Sequence, residues 1–153
     1  MKSLFVLAML ATGLPASQVV ADNSLSPPVA AVFSNYSRIQ TALAKDSVDG
    51  VAKSAREIAK TVKEDGAKTF SATVAEQAEA LGRTTDLAAA RTAFKPLSQS
   101  LIDYASKNPP VSGLYRQVYC PMANASWLQT DSIVYNPYMG KSMPHCGEIV
   151  KWR

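Results

Sequence analysis

Between Asp22 and Tyr119 the chain has no cysteine, no methionine and no histidine. The whole 153-residue sequence holds two cysteines and one histidine. These scarcities exclude several chemistries. With no Cys-x-x-Cys pair and no second histidine, a zinc knuckle lacks its ligands, and haem attachment lacks its Cys-x-x-Cys-His motif. There is no Glu-x-x-His pair of the kind that holds di-iron centres in helix bundles. His145 is the only imidazole, and Asp131 and Glu148 are lone acids in its stretch. No Ser-His-Asp set and no paired carboxylates stand out, and the chain is read as no enzyme. A nucleophile pair of His145 with Cys120 or Cys146 is conceivable on paper, but adjacent residues rarely face each other.

Charge of one sign is also scarce. The chain carries 16 basic and 12 acidic residues, a formal net charge of +4, interspersed rather than gathered into a stripe. No nucleic-acid partner is expected from such a surface. No stretch reaches the roughly 20 apolar residues of a membrane span. The apolar run Leu4 to Leu14 is shorter, follows the basic Lys2, and leads to Val19 and Ala21 with small side chains. That pattern reads as a signal peptide over 1–21, cleaved after about Ala21, and so as an exported protein. The remainder is one domain's worth of chain.

After a disordered start ending at Pro27-Pro28, apolar residues recur at spacings of three and four. Val29, Val32, Tyr36, Ile39 and Leu43 form one such stripe; Val48, Val51, Ala55, Ile58 and Val62 form the next. Phe70, Val74, Ala78 and Leu81 mark a third helix that stops at Gly82. Leu87, Ala90, Phe94, Leu97, Leu101 and Tyr104 mark a fourth, with Pro96 inside it. This spacing predicts amphipathic helices, with Asp46-Ser47 and Thr84-Thr85-Asp86 as caps and Asn108-Pro109-Pro110 as the end of the last. The expected fold is mainly α, an antiparallel four-helix bundle over 22–110. From 111 to 153 Pro, Gly, Asn, Tyr and Trp replace Ala and Lys. This reads as an irregular, partly β tail packed on the bundle, with short strands expected at 114–119, 133–135 and 148–152.

The tail gathers every sulfur outside the leader: Cys120, Met122, Met139, Met143 and Cys146, with His145 beside them. Thiolate, thioether and imidazole are soft donors that suit Cu(I). All six residues are candidate metal ligands. Prolines 121 and 144 stiffen the two ligand loops. The same cysteines support another reading. Two cysteines in an exported chain usually pair, and a Cys120–Cys146 disulfide would pin a tail with little regular structure.

The run Tyr119-Cys120-Pro121-Met122-Ala123, then Trp127-Leu128, Ile133, Asn136-Pro137-Tyr138, Gly140, Met143 and Cys146-Gly147 resembles a C-terminal signature. It belongs to a family of exported bacterial helical domains of unknown function. Helix-four residues Phe94-Lys95-Pro96-Leu97-Ser98 and Leu101 are similar to it too. Members stand alone or are attached to periplasmic adaptor (membrane-fusion) subunits of copper, silver and other heavy-metal efflux pumps. The resemblance implies a periplasmic location, a link to heavy-metal handling, and an efflux adaptor as partner. It carries over onto Cys120, Met122, Met143 and Cys146. Met139 stands where the family commonly has an aromatic, and His145 also departs from its pattern, so these two are candidates by chemistry alone. Two functions follow as expectations: a periplasmic copper- or heavy-metal-binding protein that buffers metal or delivers it to efflux, or a disulfide-stapled helical module that docks on an envelope partner without metal.

Overall fold

Pro27 and Pro28 open the first helix instead of closing a disordered start. They occupy its first two positions, where the missing N–H has no intrahelical partner to lose. The computed structural model describes residues 25–152; the expected leader over 1–21 lies outside them. Four long helices follow one another: α1 (Pro27–Ala44), α2 (Val51–Glu64), α3 (Ala72–Gly82) and α4 (Leu87–Ser106). A single turn, α5 (Pro109–Ser112), precedes a small sheet of β1 (Arg116–Cys120), β2 (Ala125–Gln129) and β3 (Glu148–Val150). The chain is therefore mainly helical, with a three-stranded antiparallel sheet in order β2-β1-β3 at its C-terminal end.

The helical stripes are the core. Val29, Val32, Tyr36, Ile39 and Leu43 of α1 are buried, as are Val51, Ala55, Ile58 and Val62 on α2. Val74, Ala78 and Leu81 follow on α3, and Ala90, Phe94, Leu97 and Leu101 on α4. Consecutive helices pack on each other, and α1 and α4 both meet β2. Tyr36 stacks on Phe94 with ring centroids 5.0 Å apart.

Three local expectations need correction. Val48 is not on the inward stripe but 38% exposed. The chain turns through Asp46 (φ 58°) and Gly50 (φ 75°), and Gly50 caps α2, which starts only at Val51. Gly reaches that left-handed conformation without a Cβ clash. The stop at Asn108-Pro109-Pro110 holds for α4, which ends at Ser106, and the two prolines then begin the extra turn α5. Residues 133–135 are irregular, and the second strand is Ala125–Gln129. A tight connection, Pro121 to Asn124 (φ 44° at Asn124), returns the chain directly beside β1, and short closures cost the least entropy.

Side chains alternate across the sheet. Val118 pairs with Trp127 and Ile149, and Cys120 with Ala125, so Val118, Cys120 and Trp127 share one face. Gln117, Tyr119 and Ser126 share the other, where they line a cleft with Gln99, Ile102 and Asp103 of α4. The outer edge of β2 is covered by two tyrosines. Tyr36 accepts the Leu128 N–H at 3.0 Å and shares a 2.8 Å hydrogen bond with Ser98. Tyr138 donates to the Ser126 carbonyl at 2.8 Å. Burial pushes both phenols well above the ordinary tyrosine range, so both stay neutral. An edge strand capped this way offers fewer free groups for pairing with another chain.

Candidate dithiol site

The segment between β2 and β3 has almost no regular structure, so its backbone groups need other partners. Two buried amides supply them. Gln129 accepts from the Trp127 indole (3.0 Å) and the Tyr135 amide (3.2 Å), and donates to the carbonyls of Asp131 (2.8 Å) and Ile133 (2.7 Å). Asn136, fully buried, accepts from the amides of Tyr138 (2.8 Å) and Met139 (2.9 Å) and donates to the Cys146 carbonyl (2.6 Å). Its own amide donates to the Pro144 carbonyl at 2.9 Å.

An ion pair fastens the segment to the helices. Arg91 of α4 donates to Asp46 at 2.6 Å, to the Leu43 carbonyl at 2.9 Å and to the Pro137 carbonyl at 2.8 Å. Asp46 also accepts the Lys141 amide at 3.2 Å. Gly140 (φ 53°) passes so close that any Cβ there would collide with both Asp46 and Arg91. The Arg91 hydrogen bond, with the Lys141 amide and the neighbouring positive charges, holds the Asp46 carboxyl below the usual aspartate range. Its contribution is present above about pH 4, the unfolded value, and is lost as pH falls through the lower folded value. Asp46→Asn should therefore unfold at higher denaturant-free stability cost near neutrality than in acid. Urea midpoints for the two proteins should converge as pH falls below about 4, and a constant gap would mean that the carboxylate charge contributes nothing.

These anchors bring the two cysteines together. The sulfurs of Cys120 and Cys146, 26 residues apart, lie 2.7 Å from each other. Cys120 projects from the central strand and is fully buried; Cys146 ends the irregular segment and is half-buried. Gly147 allows the approach. A Cβ there would sit 2.8 Å from the Trp127 ring and 2.9 Å from a Val118 methyl, at φ 146°. Only a glycine lets the chain lie this flat against the sheet.

The two thiols are not equivalent. Burial opposes ionisation of Cys120, but the Cys146 thiol, the amides of Ala123 and Met122 and the Asn136 side chain together hold its proton affinity below the ordinary cysteine value. Cys146 moves the other way: its hydrogen bond to Cys120, then burial and the Cys120 charge, push its thiol up. Of the two, Cys120 gives up its proton more readily and Cys146 less readily.

The other four candidates do not gather at the sulfurs in the same way. Met122 is 67% exposed. Met139 packs against the core margin and lines a cleft with Met122, Arg91 and Lys95. Met143 is half-buried, and its carbonyl accepts the Cys146 amide at 3.2 Å. His145 is exposed; its Nδ1 lies 2.7 Å from the Val134 carbonyl and its ring 6.0 Å from Tyr135. Among the described residues no three His, Cys, Asp or Glu side chains are grouped to hold an ion. Once deprotonated, the pair would suit a soft ion such as Cu(I) by donor type. Bonds of about 2.3 Å to each sulfur, the length typical of zinc thiolates, would require the sulfurs to part by roughly 1–2 Å. The N–H groups around Cys120 would serve as outer-shell donors to a metal-bound thiolate. Gln129, Asn136, Arg91 and Asp46 are the site-building residues that sequence reading passed over. In the sequence Asp46 marks only a cap, and Asn136 stands only within the run that resembles the family signature.

Together these features define a mainly helical domain that carries a paired dithiol between a small sheet and its covering segment. Residues 32–113 match the family described as protein of unknown function (DUF3347). That match spans more than half of the chain, and the chain belongs to this family. The matched residues run from α1 to the end of α5; the sheet and both cysteines lie beyond them. No curated protein and no solved structure matches the chain.

Proposed function

We propose that the protein is a periplasmic soft-metal-binding accessory of heavy-metal efflux, holding one Cu(I) ion between Cys120 and Cys146 and buffering it or delivering it to an efflux adaptor. In this reading residues 1–21 are removed on export, and the four long helices act as an antiparallel bundle that carries the tail. The observation behind it is the 2.7 Å contact between the two cysteine sulfurs. Taking the last proton from such a pair leaves two like charges in contact, and a soft cation relieves that repulsion where the proton did before. Met122 and Met143, within three residues of the two cysteines, are the next donors. Met139 and His145 stand further back, since both are engaged elsewhere.

Binding releases the proton, so affinity rises with pH. Reduced protein titrated with Cu(I) against a chromophoric chelator should take up one ion per chain. Cys120→Ser and Cys146→Ser should each weaken binding by more than about 100-fold, since losses at outer-shell groups alone reach that scale. Unchanged stoichiometry and affinity in both variants would sink the proposal.

The 2.7 Å separation also favours a second reading, a disulfide-stapled helical interaction module without metal that docks on an envelope partner. Closing the loop between the cysteines would stabilise the fold by roughly 3–4 kcal/mol in the chain-entropy model. A thiol count on protein purified without reductant separates the two: no free thiol and no response to Cu(I) would leave only the module.

A further inference from the structure

The two sulfurs differ in access as well as in acidity. Cys120 sits on the middle strand, fully buried beneath the segment that Asn136 and Gln129 tie down. Cys146 lies at the end of that segment and is half-buried. We propose that the pair undergoes thiol–disulfide exchange in a fixed order, with Cys146 as the sulfur that meets an external disulfide and Cys120 as the sulfur that resolves the adduct. The partner is any molecule offering an accessible disulfide, whether an oxidoreductase or a small disulfide.

The chemistry balances in two displacements. Cys146 first loses its proton; its sulfur then attacks one sulfur of the external disulfide, forming a Cys146 mixed disulfide and releasing one thiolate, which takes up a proton. Cys120 then attacks the Cys146 sulfur, forming the internal disulfide and expelling the second thiolate. Two electrons pass from the cysteine pair to the external disulfide, and the two cysteine protons end on the two released thiols. Displacement at sulfur runs in line. Attack from Cys120, on the buried side, therefore places the departing group on the opposite side of Cys146, away from the sheet. The reverse order would need an external disulfide to reach Cys120 beneath the segment, between β1 and Cys146 itself. The 2.7 Å contact places the resolving sulfur beside its target before the reaction starts, so the mixed disulfide should not accumulate.

This inference rests on the paired thiols and not on metal binding, and it is tested on metal-free, reduced full-length protein in the presence of chelator. The probe is 5,5′-dithiobis(2-nitrobenzoate). Wild type should release two equivalents of nitrothiobenzoate with no lasting adduct by mass. Cys120→Ser should react at the wild-type initial rate and keep one adduct on Cys146. Cys146→Ser should react more slowly by about tenfold or more, as expected of a site that needs local opening. In guanidinium chloride the two variants should react alike. Equal native rates, or a faster Cys146→Ser protein, would overturn the order. Should the serine variants fail to fold, limiting iodoacetamide on the reduced wild type gives the same answer by peptide mapping. Cys146 modified first supports the proposal; Cys120 modified first overturns it.

Discussion

Asn136→Ala should destabilise the folded protein by about 3–5 kcal/mol, measured as the change in unfolding free energy in urea. The side chain is fully buried and bonds the amides of Tyr138 and Met139 and the carbonyl of Cys146. Alanine leaves all three groups without that partner, and each buried unsatisfied group costs about 1–3 kcal/mol. Partial access for water to the segment keeps the sum below the upper limit. The variant should also close the Cys120–Cys146 pair more slowly, because the amide that sets the Cys146 backbone is gone. A loss under about 1 kcal/mol, the worth of a single ordinary hydrogen bond, would show that the segment holds its shape without this hub.

Trp127→Ala should have an effect of similar size, about 3–5 kcal/mol, the range for removing a buried Trp or Phe side chain. Trp127 is the largest fully buried side chain in the protein. It stands edge-on to Tyr138 with centroids 5.9 Å apart, donates to Gln129 at 3.0 Å, and forms the floor on which Gly147 lies. Its removal therefore empties the space between the sheet and its covering segment and frees an acceptor of the Gln129 hub. Domains of this size are stable by only about 5–15 kcal/mol, so the thermal transition followed by helical circular dichroism should move down markedly. A transition that stays in place would mean that the sheet packs independently of the helices, against the contacts of β2 with α1 and α4.

The helices were legible because a single physical rule, the 3.6-residue period, acts locally. Val32, Ile39, Ile58, Leu81 and Leu97 could be assigned inward from spacing, and all are buried. The misreadings fell where local rules compete. Val48 continues the α2 period, yet the left-handed backbone at Gly50 restarts the helix three residues later. Ile133-Val134-Tyr135 has strong β propensity but no strand to pair with. The less obvious Ala125–Gln129 lies one tight turn from β1 and takes the place.

The candidate site divides in the same manner. Segregation of sulfur into one short stretch, and the choice of Cys120 and Cys146 as its principal members, are properties of residue type and order, and the sequence by itself determined them. Which donors meet is a matter of tertiary structure. The amides of Gln129 and Asn136, the Arg91–Asp46 ion pair and the bare backbone of Gly147 act across up to 95 residues of separation. No local pattern encodes such contacts. They bring the two thiols into contact and turn Met122 toward solvent, and they leave Cys120 the buried, more acidic partner of a half-exposed Cys146.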